Sequence, residues 1–139
     1  MKIFAAILLI FSALILNVGA NPAKQTNFDV FWKKFKSAVA KSDKTAVAAM
    51  VKFPVSMSYG VASIKSKAAF IKRYDEIFND EVDVERCFAK NAPQKSDAKN
   101  YVVSCSFKGE PEDENAPFAF RFELTKSGWK FVSFDNINE

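Results

Sequence analysis

The chain has 139 residues, a formal net charge of +4 and no histidine. This length suffices for one domain with one hydrophobic core. The absence of histidine excludes Ser–His and Cys–His nucleophile pairs, imidazole metal sites and the commonest general base. The basic residues are spread along the chain and interrupted by acidic segments, so the sequence predicts no nucleic-acid partner.

Residues 1–20 have the pattern of a signal peptide. Lys2 gives a positive start, residues 3–18 are almost entirely apolar, and Val18, Gly19 and Ala20 are the small residues that signal peptidase recognises. The apolar run is short for a membrane span, which needs roughly 20 residues. The sequence therefore predicts cleavage after Ala20, an exported protein (periplasmic or secreted) with no stable membrane anchor after cleavage, and a single domain over residues 21–139.

The first predicted helix has one apolar face and one lysine-rich face. Its apolar residues recur at helical spacing, namely Phe28, Phe31, Trp32, Phe35, Ala38 and Val39. Such a helix could bind a membrane surface, but the first helix of a globular core has the same pattern, and we favour that interpretation. Ser42 and Asp43 then cap a second, shorter helix through Val51.

Alternating apolar residues predict a half-buried strand after Pro54, formed by Phe53, Val55, Met57 and Tyr59. A short segment ending at Ile64 is its expected partner. Ser66 begins a third helix that ends at Asn79 and Asp80. The rest of the chain is predicted as an antiparallel meander of four strands, Val82–Ala89, Tyr101–Phe107, Phe118–Leu124 and Trp129–Phe134.

The two cysteines and one arginine lead to partly exclusive predictions. An exported chain with Cys87 and Cys105 favours a disulfide between them. Strict alternation in the strand 82–89 places Arg86 on the apolar face, where it could bind a carboxylate or phosphate of a ligand. Facing cysteines would instead need a bulge near Glu85 that turns Arg86 outward. We favour the disulfide.

The order of predicted elements resembles the nuclear-transport-factor-2-like superfamily, the cystatin-like α+β cone, as an exported bacterial-type member. Three segments carry the likeness: the aromatic first helix broken at Lys41-Ser42-Asp43, the strand after Phe53-Pro54 leading into SKAAFIKRYDEIF, and the final strand GWKFVSFDN. The resemblance implies three N-terminal helices packed in a strongly curved antiparallel sheet of about five or six strands, with a pocket. Its members include isomerases, dehydratases, polyketide cyclases, transport factors, toxin-immunity proteins and catalytically silent domains, so it implies a fold rather than an activity.

The expected pocket is lined by Phe31, Trp32, Phe35, Met57, Tyr59, Tyr74 and Arg86. The leading hypothesis is a non-catalytic exported binding domain for a small apolar molecule or a protein partner, of which a toxin-neutralising role is one form. The alternative is a small-molecule lyase or isomerase like ketosteroid isomerase, which works with Asp and Tyr groups; its weak catalytic candidates are Tyr59, Tyr74 and Asp75. A homodimer formed through the sheet faces is a third hypothesis.

No cofactor or metal site is predicted. The acidic segment from Glu110 to Glu114 lacks the ordered ligand spacing of a calcium loop and has the composition of a solvated hairpin loop.

Overall fold

A computed structural model describes residues 27–58 and 63–137. The predicted signal peptide, its cleavage point and Tyr59 lie outside the described residues. The elements, in chain order, are α1 (Phe28–Ala40), α2 (Lys44–Ala49), β1 (Val51–Met57), α3 (Lys67–Lys72), a π-helical turn (Glu76–Asp80), α4 (Val84–Lys90), β2 (Gln94–Asp97), β3 (Asn100–Cys105), β4 (Phe118–Thr125) and β5 (Gly128–Asn136). This composition confirms the α+β class.

Each α-helix begins at a side chain that accepts a backbone hydrogen bond. The caps are Asn27 for α1, Asp43 for α2, Ser66 for α3 and Asp83 for α4. Such caps satisfy backbone N–H groups that have no partner inside the helix. The predicted starts of the second and third helices at Asp43 and Ser66 are therefore confirmed.

Within the described residues the sheet has five strands in the order β1-β5-β4-β3-β2, and it is open. The pairs β2–β3, β3–β4 and β4–β5 are antiparallel, whereas β1 lies parallel to β5. The prediction of a purely antiparallel sheet is thus wrong for β1. The sequence predicted a short strand ending at Ile64 as the partner of β1. Within the described residues, this segment forms a single antiparallel bridge, between Val55 and Ile64. Val51, predicted to end the second helix, begins β1.

The predicted strand 82–89 is wrong, because these residues contain the helix α4. Its buried residues Val84, Cys87 and Phe88 follow the spacing of a helical face. The strand beside β3 is β2, in a stretch that the sequence indicated as a loop. The described residues therefore contain four α-helices and a π-helical turn, where three helices were expected.

One face of the sheet supplies aromatic rings to a single core. In β4 the residues Phe118, Phe120 and Phe122 lie opposite Cys105, Val103 and Tyr101 of β3. Phe35 of α1 is fully buried against these rings, and the ring centroids of Phe35 and Phe122 are 5.1 Å apart. The helices thus cover the sheet face that carries the phenylalanines.

Candidate functional site

The three α1 aromatics predicted to line a pocket lie in the packed core. Phe31, Trp32 and Phe35 are 2%, 8% and 0% exposed. The Trp32 ring meets Phe88 edge-on with 4.8 Å between the centroids. Aromatic rings at this distance are in contact. A ligand at this position would have to displace packed side chains, and the role of these residues in binding stays a prediction.

Met57 lies at the end of β1, half-buried and packed against the core. Its backbone is paired with Phe134 of β5. Met57 is thus held at the sheet edge beside β5, next to residues 59–62, which are not described. A role for Tyr59 in a pocket or in catalysis therefore lies outside the described residues.

Tyr74 is buried, and its hydroxyl has no hydrogen-bond partner among the described residues. Its ring stacks on Phe78 with 4.6 Å between the centroids, and the ammonium group of Lys44 lies 5.4 Å from the centre of the ring. Burial, followed by the nearby carboxylates of Asp75, Asp43 and Glu85, raises the pKa of Tyr74 to about 12. The hydroxyl is therefore a neutral hydrogen-bond donor at physiological pH.

Asp75 follows Tyr74 in the chain but lies on the surface. Its carboxylate accepts hydrogen bonds from Lys44 Nζ at 2.7 Å and from the side-chain amide of Asn79 at 2.9 Å. These two bonds lower the pKa of Asp75 below its ordinary value. Beside it is a shallow hollow of about 280 Å³ lined by Asp75, Glu76, Asn79 and Asp80. The carboxylate is thus a well-solvated member of an ion pair.

Arg86 lies on α4 rather than in a strand, so the predicted file of Val82, Val84, Arg86 and Phe88 on one sheet face does not exist. Its side chain is partly buried, and the guanidinium donates to the backbone carbonyl of Glu110 at 2.9 Å. The arginine thereby connects the first turns of α4 to the acidic loop after β3. Its proposed role in binding an anionic ligand has no support from this geometry.

The predicted disulfide between Cys87 and Cys105 is present. It joins α4 to β3 across a sequence separation of 18, and both cysteines are fully buried. The expected arrangement, two facing strands with a bulge, is wrong. Because Cys87 lies on the buried face of a helix, no bulge is needed for it to meet Cys105.

The acidic loop is organised by one of its glutamates. The carboxylate of Glu112 accepts from the backbone N–H of Ser106 at 3.1 Å. The side-chain amide of Asn91 donates to the carbonyl of Ser104 at 2.7 Å and approaches Glu112 at 3.4 Å. Within the described residues, no group of three or more acidic or cysteine side chains could hold a metal ion. Glu112 thus holds the loop against the end of β3 by accepting the hydrogen bond from Ser106.

The outer side of α1 carries the lysine-rich face that the sequence predicted for the first helix. We define the basic face of α1 as Lys33, Lys36 and Lys41. Two hollows flank α1 and share Lys33 and Ser37. The first, of about 380 Å³, lies toward α2 and includes Lys41, Asp43 and Ala46.

The second hollow, of about 390 Å³, lies between α1 and α4 and is lined by Lys33, Lys36, Ser37, Ala40, Glu85 and Ala89. Small side chains are thus among its lining residues, and they are the sequence signal for a groove at this position. Because 82–89 was predicted as a strand, the sequence did not indicate that α4 packs beside α1.

Of the helices in the described part of the chain, none is both long enough and apolar enough to cross a membrane.

No protein-family model matches the chain, and no curated protein matches it significantly. The solved structures to which it is similar include a putative calcium/calmodulin-dependent protein kinase II association domain from Xanthomonas campestris, at 11% identity and a TM-score of 0.41, over 81% of this chain and 86% of that one. A domain of unknown function with a cystatin-like fold from Nostoc punctiforme is 12% identical, with a TM-score of 0.42, over 81% of this chain and 75% of that one. At this level the likeness concerns the fold alone.

Proposed function

We propose that the protein is an exported, non-catalytic binding domain whose partner is another protein. The observation that carries the non-catalytic part is the pair of opposite pKa shifts at Tyr74 and Asp75. Burial raises the pKa of the tyrosine to about 12, and Lys44 and Asn79 lower the pKa of the aspartate. Acid–base catalysis at neutral pH is favoured by pKa values close to neutrality, and both groups are shifted away from it.

The packing of the α1 aromatics supports a protein partner over a small apolar molecule. Phe31 and Phe35 are in ring-to-ring contact with Phe122 and with each other. Small-molecule sites are usually preformed concave pockets. The hollows on the described surface are shallow and lined by charged and small residues, which suits contacts to a macromolecule.

Export is supported by two independent features. Residues 1–20 have the composition of a signal peptide. Cys87 and Cys105 form a buried disulfide, and such bonds persist mainly in oxidising compartments. We place the mature domain outside the cytoplasm, in the periplasm or the extracellular space.

A lyase or isomerase remains the alternative, favoured by one observation. The buried hydroxyl of Tyr74 has no partner among the described residues, and leaving such a donor unsatisfied costs free energy. A hydroxyl that binds a substrate oxygen would gain a partner during turnover. The exposed, ion-paired state of Asp75 argues against a base beside it.

The test is native mass spectrometry of the protein purified from its own exporting cells. We expect a polypeptide bound in fixed stoichiometry. After release and incubation with fresh protein, its mass should be unchanged, and Tyr74→Phe should bind it as tightly as the wild type does. A small molecule in the complex that the wild type converts to a new product, and that Tyr74→Phe leaves unconverted, would establish the enzyme instead.

A further inference from the structure

We propose that the basic face of α1, with the hollow on each side of it, binds an acidic segment of the partner protein. The inference deepens the proposed function and rests on it, because it assigns the surface and the chemistry of the partner. Lys33, Lys36 and Lys41 would meet carboxylates of the partner. Ser37, which lines both hollows, would lie beneath the bound segment.

The basic face of α1 carries positive charge that the fold does not neutralise by ion pairs. Lys33, Lys36 and Lys41 form no ion pair with any described residue, whereas several other basic residues are paired within the fold, including Lys44, Lys52, Arg73 and Arg121. Among the residues that the structure describes, the carboxylates lining the two hollows are Asp43 and Glu85, one in each. The surface therefore keeps a positive excess, and a partner with negative charge is electrostatically complementary to it.

The hollows beside α1 are lined partly by small side chains. Ser37, Ala40 and Ala89 line the hollow between α1 and α4, together with Lys33, Lys36 and Glu85. On the other side of α1, the small residues Ala38 and Ala46 line the second hollow. A groove beside a helix that is lined by small and charged residues can accept a second segment of polypeptide.

The apolar residues of α1 distinguish a protein partner from a lipid surface. Helices that bind membranes insert an apolar face into the bilayer. The apolar face of α1 is committed to the core through Phe28, Phe31, Trp32 and Phe35, and the exposed large apolar residue on α1 is Val30, at 44%. The lysines therefore have few apolar neighbours to insert, and the membrane interpretation of this helix is disfavoured.

The first experiment compares two variants with the same loss of charge. Lys33→Ser, Lys36→Ser and Lys41→Ser are combined in one variant, and Lys95→Ser, Lys99→Ser and Lys126→Ser, all at exposed positions, are combined in the control. The probe is a fluorescent decaglutamate peptide, titrated by anisotropy. Each exposed pair is worth roughly two- to fivefold in affinity, so the first variant should bind about tenfold or more weakly.

The second experiment obstructs the hollows without changing charge. Ser37→Trp places a large ring at the position that lines both hollows, and Ser96→Trp, at an exposed position of β2, is its control. Thermal unfolding checks that both variants fold. We expect Ser37→Trp to weaken decaglutamate binding about tenfold, against less than about twofold for Ser96→Trp, since a tenfold change corresponds to the loss of a small number of contacts.

The outcomes are distinct. Weaker binding in the α1 lysine variant and in Ser37→Trp, with both controls unchanged, supports the inference. Equal weakening in the two lysine variants shows general charge attraction and overturns the inference. The inference is also overturned if the protein binds phosphatidylglycerol vesicles more tightly than decaglutamate and decaglutamate does not displace the vesicles. If the partner found in native material binds both α1 variants normally, the surface is wrong while the binding function stands. If no partner is found, the function itself fails.

Discussion

Tyr74 has a hydroxyl that the fold buries without a hydrogen bond to any described residue. A buried unsatisfied donor costs about 1–3 kcal/mol, whereas the ring itself is well packed against Phe78 and Phe70. The ring therefore stabilises the fold while the hydroxyl opposes it. This separation allows the two contributions to be measured by removing one oxygen atom.

We expect Tyr74→Phe to raise the free energy of unfolding by about 1 kcal/mol at neutral pH, because phenylalanine keeps the ring contacts and has no donor to desolvate. Urea denaturation of both proteins measures the difference. Tyr101→Phe is the matched control, since Tyr101 is only partly buried and its substitution should change stability by less than about 0.5 kcal/mol. Destabilisation by Tyr74→Phe would show that the hydroxyl has a partner after all.

The raised pKa of Tyr74 predicts that the protein loses stability in alkaline solution. Its pKa is raised to about 12 in the folded state, whereas an unfolded tyrosine loses its proton near pH 10. Above that pH the unfolded state is stabilised by ionisation first, so the free energy of unfolding falls as pH rises from the unfolded toward the folded pKa. Below about pH 10 the tyrosine keeps its proton in both states, so its ionisation does not reduce the free energy of unfolding there.

The measurement compares the wild type with Tyr74→Phe, so that lysine titration common to both cancels. The advantage of the phenylalanine variant should be about 1 kcal/mol larger at pH 11 than at pH 9. An advantage that does not change with pH would mean that Tyr74 ionises equally easily in both states, and that burial does not disfavour its charged form.

The turn between α1 and α2 ends the first helix with a left-handed residue. Ser42 has a φ of 50°. Its N–H donates to the carbonyl of Val39, and the N–H of Asp43 donates to that of Ala38, both at 2.9 Å. These two bonds define a Schellman motif, in which glycine is the preferred residue at the left-handed position because a Cβ atom is strained there.

Ser42→Gly should therefore raise the free energy of unfolding by about 0.5 kcal/mol, which is the relief of left-handed strain less the greater entropy of glycine in the unfolded chain. Denaturant unfolding provides the value. Ser42→Ala is the control, because alanine keeps the Cβ atom and should give no gain. A glycine variant less stable than the alanine variant would contradict the strain argument.

The helix α4 shows where sequence periodicity gave the wrong element. Val82, Val84 and Phe88 fit the alternation of a strand, and Val84, Cys87 and Phe88 fit a helical face equally well. Over seven residues the two patterns are hard to distinguish. The cap at Asp83 and the apparent mismatch of Cys87 with an apolar strand face were the local signals that favoured a helix.

The strand β5 shows a second limit of prediction from sequence periodicity. Its inward residues Trp129, Phe131 and Phe134 break simple alternation, because Arg121 pairs with Ser133 while Phe122 pairs with Phe131, leaving Val132 as an extra residue. Such a bulge shifts the later side chains by one position. The spacing of the aromatic residues contained this information. The parallel pairing of β1, in contrast, depends on contacts distant in sequence that periodicity does not encode.

The disulfide between α4 and β3 should contribute about 3 kcal/mol, as expected for a closed loop of this length. Changing Cys87 and Cys105 together to alanine should lower the free energy of unfolding by this amount in a urea titration. As a direct check, iodoacetamide should label neither cysteine in denatured protein without reductant. Labelling of both would show that the bond is absent and that the pairing is wrong.

At the scale of the whole molecule, the α+β class could be predicted because it depends on the order of strongly periodic segments. The first helix, the third helix and the strands β3, β4 and β5 each had a clear pattern. The candidate site could not be predicted in the same way. Phe31, Trp32 and Phe35 have the same spacing whether they line a cavity or fill a core, and only the rings packed against them decide between these alternatives.

The outer face of the sheet also bears on assembly, because a dimer through the sheet faces was one hypothesis. Between the inward rings of β4, Arg121 lies on the other face and pairs with Asp135 at 3.0 Å, and Lys52 of β1 pairs with Glu123 at 3.2 Å. Stable homodimer interfaces are depleted of charge in their centre. Burying these ion pairs between two copies would desolvate them at a cost of free energy.

We therefore expect the protein to sediment as a monomer at about 10 µM in physiological salt, since the charged outer face does not provide the apolar area that a stable dimer requires. Sedimentation velocity at two protein concentrations checks this. A variant with Arg121→Leu and Asp135→Leu is the informative comparison, because it replaces one ion pair by apolar side chains and should increase self-association. A wild-type dimer that persists when salt screens exposed charges would show that the ion pairs lie outside the contact, and that another surface joins the subunits.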